Sequence, residues 1–244
     1  MPDLNLEAAR SRSVMIGTPA HHDVAVTYAI SLAGTVSLLE RSGISHEIRV
    51  VVGCSHLPKA RNELVAEFLA SDKTDLLMVD SDMGWAPNDA VRLLASPHRL
   101  IGGVGRKKWD APNADPNVWC ATFPSGNLVQ DAHGAVEVER VGTGFLRISR
   151  ALAETMVAAH PEWKRQAPDG VLPHVKPFYH RIFAFADDGD RELSEDFAFC
   201  DAWRALGGRV WIDPEIDLSH IGTHDYSGRV SEIFRPAETK DAAQ

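Results

Sequence analysis

The sequence predicts an α/β fold with a mainly parallel sheet covered by helices. Short apolar runs alternate along the chain with segments of helical periodicity, and this alternation is typical of right-handed crossovers between parallel strands. The clearest strand lies in the segment Asp75–Asp82, where four apolar residues end in two carboxylates spaced one residue apart. A continuous apolar run of this kind indicates a strand buried on both faces of a sheet.

The first part of the chain supplies regular pairs of strands and helices. Apolar runs predict strands at 14–17, 46–53, 75–79 and 100–105. Apolar residues at helical spacing predict the intervening helices at 24–39, 58–69 and 87–94. Gly43 is a suitable stop for the first of these helices, while Pro58 and Pro87 suit the first turns of the other two.

The pattern breaks between Arg106 and His133, where Pro, Gly and Asn punctuate a loop-rich insert of the kind that often carries a binding surface. Beyond it, alternating apolar and charged residues predict an antiparallel strand that Gly142-Thr143-Gly144 interrupts. The remaining predicted elements are strand segments at 135–141 and 145–148, a helix at 151–160, an irregular segment at 161–190, a helix from Ser194 to 206, a strand at 209–214, an alternating segment at 216–222 and a frayed tail at 235–244.

Composition indicates an ordinary globular protein and excludes several classes of partner. With 44% hydrophobic and 24% charged residues, the 244 residues suit one α/β domain. The net charge of −9 argues against nucleic acid or an anionic membrane held by bulk attraction. The three cysteines, at positions 54, 120 and 200, are far apart in the sequence, and we expect them to be buried thiols. Because we find no signal peptide and no long apolar segment, we expect a cytoplasmic protein.

Asp80 and Asp82 are the first candidate functional residues. They follow the buried strand, and ligands of open α/β sheets bind beyond the carboxyl ends of such strands. Oxygen ligands this close together suit a hard divalent cation, Mn²⁺ or Mg²⁺, that could also hold a phosphate. The alternative is a solvated turn rich in Asp.

Further candidates lie in two segments nearer the chain's end. Glu195 and Asp196 follow Ser194, a natural helix N-cap, and acids in a first turn favour the helix dipole whatever else they do. His220 lies in an alternating segment where a histidine is often only structural. His224 competes with His220 for any role as a metal ligand.

In this order, the motifs resemble those of the GT-A-fold, metal-dependent glycosyltransferases of the family 2 type, from about Val14 to Gly222. The resemblance implies one domain over 1–244, with a nucleotide-binding half at about 13–105 and an acceptor and metal-closing half at about 106–230. It also implies a Rossmann-like mixed sheet flanked by helices. The motifs that carry it are Gly17-Thr18-Pro19, Ala60-Arg61-Asn62, Met78 to Met83, Gly142 to Phe145, Ser194 to Phe197, Trp211 to Pro214 and Ser219 to Gly222.

The resemblance assigns a role to each motif. Asp82 and His220 would ligate the cation, and Asp80 would contact it, a metal-bound water or the nucleotide's ribose. Asp196 would be the general base of an inverting enzyme, or with Glu195 would position a sugar in a retaining one. The remaining contacts to the nucleotide sugar would come from Thr18 and Pro19 at the base, Arg61 near the diphosphate, Ser81, and Gly142, Thr143 and Gly144 beside the sugar.

The implied activity is transfer of a sugar, such as a hexose, from a nucleotide-diphosphate sugar to an acceptor hydroxyl. A UDP-sugar is the expected donor, the acceptor is open, and a homo-oligomer is possible. The segment Arg106–Asp110 could meet a phosphate or a sugar face, and Trp85 and Trp119 could line a sugar pocket or simply pack. The alternatives are a nucleotidyltransferase that makes the activated sugar, and a non-catalytic binder of nucleotides or sugars.

Overall fold

The computed structural model of the chain describes residues 5–109, 118–166 and 178–234. The helices are α1 (Leu6–Arg10), α2 (Val26–Ser42), α3 (Leu57–Ala70), α4 (Pro87–Ala95), α5 (Arg150–Ala159) and α6 (Glu195–Ala205), with 3₁₀ turns at Pro161–Trp163 and Val230–Phe234. The strands are β1 (Val14–Ala20), β2 (His46–Val52), β3 (Asp75–Val79), β4 (Met83–Gly84), β5 (Leu100–Gly102), β6 (Ala121–Thr122), β7 (Val136–Val138), β8 (Arg140–Val141), β9 (Phe145–Ser149), β10 (Lys164–Gln166), β11 (Phe178–His180), β12 (Ala186–Asp188), β13 (Arg191–Leu193), β14 (Val210–Ile212), β15 (Asp217–Ile221) and β16 (Asp225–Arg229).

A mixed seven-stranded sheet in the order β2-β1-β3-β9-β5-β14-β7 forms the centre of the fold. Strands β2, β1, β3, β5 and β14 run in one direction, while β9 and β7 run against their neighbours. The predicted α/β class with a mixed sheet flanked by helices is therefore confirmed. Because β9 lies between β3 and β5, strands from both predicted halves of the chain share this sheet.

The apolar run in β3 is buried because helices cover both faces of the sheet. Leu76 and Met78 pack into a cluster with residues of α3, α5 and α6, whereas Leu77 and Val79 pack into a second cluster with residues of α1, α2 and α4. Side chains of a strand alternate between faces, so a strand covered on both sides needs apolar residues throughout. The result is a three-layer arrangement with the sheet in the middle.

A second, smaller sheet lies beside the end of β3. Its order is β16-β15-β4, and His220 on β15 pairs with Met83 on β4. The backbone N–H of Ile221 also donates to the carbonyl oxygen of Asp82 at 2.8 Å. This sheet therefore holds a late segment of the chain against the turn that carries Asp80 and Asp82.

Several predicted boundaries shift in the structure. The first strand runs on to Ala20, while the strand predicted at 100–105 ends at Gly102. The strand predicted at 135–141 divides, because β7 pairs with β14 and β8 pairs with β6. The segment predicted to be irregular, 161–190, contains short strands β10, β11 and β12. Asp110 and the tail predicted at 235–244 lie outside the described residues.

Three predicted features agree closely with the structure. Helix α2 ends at Gly43, whose φ of 69° is the left-handed conformation that glycine adopts without strain. Pro58 and Pro87 lie in the first turns of α3 and α4. In the described part of the chain, no helix has both the length and the apolar character needed to cross a bilayer.

The start of α4 should make stability depend on pH. Burial raises the pKa of Asp89 to about 6, while its carboxylate accepts the backbone N–H of Ala86 at 3.1 Å. Since the folded-state pKa exceeds the unfolded value of about 3.9, the stabilising contribution of Asp89 is complete below pH 4 and is lost as pH rises through 6. Asp89→Asn keeps a side-chain oxygen that can accept this hydrogen bond but does not ionise. On going from pH 5 to pH 8, we expect its free energy of unfolding to rise by about 1–2 kcal/mol relative to that of the wild type.

Urea unfolding at the two pH values measures this difference. Asp187→Asn, at an exposed position in β12, is the control and should leave the pH dependence of unfolding unchanged. A constant gap between wild type and Asp89→Asn across this range would contradict the prediction.

Candidate functional site

A narrow cleft opens at the edge of the sheet where β3 and β5 end and β9 begins, with a cavity volume of about 70 Å³ and about 390 Å³ when the open solvent at its mouth is included. The N–H of Asp80 donates to the carbonyl oxygen of Gly144 at 3.1 Å, which fixes the glycine segment beside the aspartates. The lining side chains and glycines come from distant parts of the sequence: Asp80, Met83, Gly103, Gly105, Cys120, Gly142 to Phe145, Asp196 and His220.

Asp82 and His220 face each other across this edge. Nε2 of His220 lies 3.7 Å from Oδ1 of Asp82. Nδ1 of His220 lies 2.7 Å from the carbonyl oxygen of Arg106. A carbonyl oxygen only accepts, so Nδ1 must carry the hydrogen and Nε2 of the neutral ring keeps its lone pair on the side of Asp82. Anchoring one ring nitrogen in this way is the usual arrangement for a metal-binding histidine.

The carboxylate of Asp82 is only partly satisfied. Its Oδ2 pairs with the ammonium of Lys108, whereas Oδ1 is buried and accepts no hydrogen bond from the described residues. A buried carboxylate oxygen without a donor is costly, and a cation beside it would remove that cost. Lys108 therefore already supplies positive charge where a metal ion would do so.

The fit of the predicted metal ligands is thus partial. Within residues 5–109, 118–166 and 178–234, no three His, Cys, Asp or Glu side chains form a cluster that could hold a metal ion. Asp82 and His220 are the members of the predicted set that come within reach of each other. His224 instead stacks on Tyr226, with ring centroids 4.0 Å apart.

Arg61 joins two of the predicted site carboxylates. The side chain projects from α3 and is 3% exposed. It forms a buried ion pair with Glu195, and its Nη2 lies 3.0 Å and 3.2 Å from the two carboxylate oxygens of Asp80. Arg61 therefore orients Asp80 and neutralises Glu195. The side chain of Glu195 is 6% exposed, so this residue acts as a buried partner of Arg61.

Asp196 points one carboxylate oxygen at the cleft. Its Oδ1 accepts the hydroxyl of Ser194 at 2.5 Å and the backbone N–H of Phe197 at 2.8 Å. A Cβ atom at position 142 would lie 3.4 Å from Oδ2, so the glycine there leaves this oxygen open to the cleft. Ser194 occupies the N-cap position of α6, but its side chain binds Asp196 and caps no backbone N–H. Asp196 therefore satisfies a first-turn N–H of α6 through Oδ1, while its Oδ2 has no part in that contact and remains open to the cleft.

Thr18 and Pro19 are not positioned to hold a nucleotide base, contrary to the prediction. Both residues lie in β1 and are buried, and the Thr18 hydroxyl is 2.5 Å from that of Tyr28. The strand continues because Pro19 and Ala20 pair with Val51 and Val52 of β2. The loop after β1 therefore begins only at His21.

The two tryptophans also pack in the interior. Trp85 is 5% exposed and donates its indole N–H to Thr35 at 2.8 Å. Trp119 is 4% exposed, and the Arg106 guanidinium lies over its ring, 5.0 Å from the centroid. Neither side chain offers a face to a sugar. Ser81 contributes its carbonyl oxygen to the N–H of Ala25 at 2.8 Å, while Thr143 is buried in the cleft wall.

Cys120 is a cleft residue that the sequence alone did not identify. Its carbonyl oxygen accepts the N–H of Gly142 at 2.8 Å, which places the residue against the glycine segment. Burial raises the pKa of the Cys120 thiol to about 11, so the thiol is neutral and not a reactive nucleophile. Cysteine spacing carried no signal for this position, because the contact depends on the pairing of β6 with β8.

Comparison with known proteins gives similarity at the level of structure. No protein family model matches the sequence, and no curated protein matches it. Among solved structures, A197 from STIV aligns with a TM-score of 0.53 and 15% sequence identity, covering 90% of this chain and 91% of that one. Similarity at this level of identity concerns the fold alone. The chain therefore shares the overall α/β architecture of A197 from STIV over most of its length.

Proposed function

We propose that this protein is a metal-dependent glycosyltransferase that transfers a sugar from a nucleotide-diphosphate sugar to an acceptor hydroxyl. The observation that carries the proposal is the meeting of Asp80, Asp196 and His220 around one cleft, with Asp82 beside it. These side chains come from three separate segments, and each offers an oxygen or nitrogen of the kind that the reaction needs. The UDP-sugar donor and the GT-A assignment belong to the same proposal.

Asp82 and His220 would hold the divalent cation, Mn²⁺ or Mg²⁺. Such ions commonly keep several waters and bind through one or two carboxylates together with substrate phosphates, so a small protein ligand set suits a diphosphate site. The buried Oδ1 of Asp82 without a donor and the anchored ring of His220 favour this assignment. When bound, the cation would stabilise the charge that develops on the departing nucleoside diphosphate.

The protein's own groups would handle the acceptor and the sugar. Oδ2 of Asp196 is open to the cleft and would take the proton of the attacking hydroxyl. Gly142 and Gly144 would let the sugar approach the backbone closely, since neither has a side chain. Asp80, held by Arg61, would contact the ribose or a metal-bound water. Lys108 would have to leave Asp82, or share it, when the cation binds.

The proposal predicts metal-dependent binding of nucleoside diphosphates. Thermal-shift measurements with a panel of nucleoside diphosphates and nucleotide sugars, with and without Mn²⁺, should show stabilisation that needs the metal. In calorimetry, we expect Asp82→Asn to weaken Mn²⁺-dependent binding of the best ligand at least tenfold, because the variant lacks the negative charge beside the cation.

Asp217→Asn is the matched control, because it removes an exposed carboxylate from β15 without touching the cleft. Binding that is equal in wild type and Asp82→Asn would exclude the metal site. The reaction products of the best donor distinguish sugar transfer from nucleotidyl transfer, and binding without turnover would indicate a binder on the same scaffold.

A further inference from the structure

A second cavity lies at the start of α3, separate from the cleft. Its cavity volume is about 450 Å³, within the size range of small-ligand sites. Its lining includes His56, Lys59, Asn62, Tyr179, Arg181 and Phe185. None of its described lining residues also lines the cleft. We call it the α3 pocket.

The α3 pocket is cationic in an acidic protein. Lys59 and Arg181 line it, and no Asp or Glu appears among its described lining residues, although the chain's net charge is −9. Lys59 is paired with Glu63 at 3.8 Å, whereas Arg181 makes no ion pair with any described residue. An arginine without a carboxylate partner presents a planar donor group that matches phosphate in geometry.

The pocket also offers aromatic surface. Phe185 is 50% exposed, and its ring meets that of His56 edge to face with centroids 6.3 Å apart. Tyr179 lines the same cavity. Half-exposed aromatic rings beside a cation suit a ligand with a flat or apolar ring face.

The segment that carries Arg181 and Phe185 is firmly anchored. Asn62 donates to the carbonyl oxygen of Phe183 at 2.7 Å and accepts its N–H at 2.9 Å. The ring of Phe183 stacks on Phe199 of α6, with centroids 4.6 Å apart. The N–H of Arg181 donates to the carbonyl oxygen of Trp163 at 3.0 Å. A pocket wall fixed in this way loses little freedom when a ligand binds.

We propose that the α3 pocket binds a phosphate monoester attached to a ring, with Arg181 and Lys59 on the phosphate and Phe185 against the ring. Sugar phosphates and nucleoside monophosphates share this chemistry. The inference does not rest on the proposed transferase activity, because its residues, its charge and its cavity are distinct from those of the cleft.

Calorimetry on the full chain in EDTA, with inorganic phosphate, glucose 6-phosphate and AMP as probes, tests the proposal. We expect saturable binding, with at least one of the ring-bearing probes tighter than inorganic phosphate. Arg181→Gln should weaken it at least tenfold, since a charged hydrogen-bonded contact is lost. Phe185→Ala should weaken binding of that ring-bearing probe more than it weakens binding of inorganic phosphate. Whichever of glucose 6-phosphate and AMP binds more tightly shows whether the ligand is a sugar phosphate or a nucleoside monophosphate.

Two controls make the result specific. Arg191→Gln removes an exposed arginine from the neighbouring β13 and should leave binding unchanged. Asp82→Asn should also leave binding in EDTA unchanged, so failure of the α3 pocket and failure of the proposed transferase give different results. The proposal is overturned if none of the probes saturates, or if Arg181→Gln and Arg191→Gln weaken binding equally, which would reflect only the overall charge.

Discussion

Asp196→Asn is expected to lower the rate of sugar transfer by about 10²–10⁴, the contribution that a positioned general base typically makes. The substitution keeps the size of the side chain and an oxygen that can accept the Ser194 hydroxyl and the N–H of Phe197. It removes the basic oxygen that faces the cleft beside Gly142. Binding of the nucleoside diphosphate should stay within a few-fold of wild type, because Asp82 and His220 are unchanged.

The rate is measured by single-turnover transfer with the donor that the binding panel identifies, and binding is measured in parallel by calorimetry. Glu192→Gln is the control, since it neutralises an exposed acid on β13, a few residues before α6. Transfer by Asp196→Asn at the wild-type rate would show that Asp196 is not the base. Loss of both binding and transfer would instead point to a structural role.

The sequence predicts β3 and its functional end well because the signal there is local. A strand covered on both faces needs a continuous apolar run, and the structure confirms one from Leu76 to Val79 between two apolar clusters. The location of Asp80 and Asp82 then follows, because polar residues after such a strand emerge at the carboxyl edge of the sheet.

Thr18 shows where a local pattern fails. The first strand was predicted to end at Gly17, and the resemblance assigned Thr18 and Pro19 after it to the nucleotide base, yet β1 continues to Ala20. Pairing with β3 ends at Gly17, so at Pro19 the strand has a neighbour on one side only, and a missing N–H is tolerated. The end of a strand therefore depends on its neighbours, which a single run of residues does not reveal.

The grouping of His220 with Asp82 has no local signal at all. It depends on β4, a strand of two residues, Met83 and Gly84, that exists because β15 pairs with it. The link from Arg61 to Asp80 and Glu195 is likewise a contact between a helix and two distant segments. The resemblance in motif order led us to expect Asp82 and His220 at one cation, but it did not predict the link from Arg61 to Asp80 and Glu195. The ion pair of Lys108 with Asp82 was not anticipated, because the basic loop could equally have been solvated.

Arg147→Met should destabilise the fold by about 3–5 kcal/mol, the largest effect on stability that we predict. Arg147 and Asp75 are both fully buried and lie 3.1 Å apart. The guanidinium also donates to the carbonyl oxygens of Leu93 and Ser96 at 3.1 Å and 2.7 Å. Burial lowers the pKa of Arg147 to about 10, which leaves it charged at neutral pH. Methionine would fill much of the space but would leave the two carbonyl groups without this donor, and Asp75 with only the Thr74 hydroxyl at 2.7 Å and the Arg12 guanidinium at 3.8 Å.

Urea unfolding near pH 7 measures the loss as a lower midpoint at an unchanged slope. Arg165→Met is the control and should change stability by less than about 0.5 kcal/mol, because Arg165 is only half-buried and its hydrogen bonds to described residues go to the carbonyl groups of Glu162 and Lys164. The double variant Asp75→Asn/Arg147→Met should regain part of the loss, since it no longer buries a carboxylate that has lost its closest cationic partner. A loss below about 1 kcal/mol in Arg147→Met, or a double variant no more stable than Arg147→Met, would contradict the prediction and mean that Arg12 or water compensates the charge of Asp75.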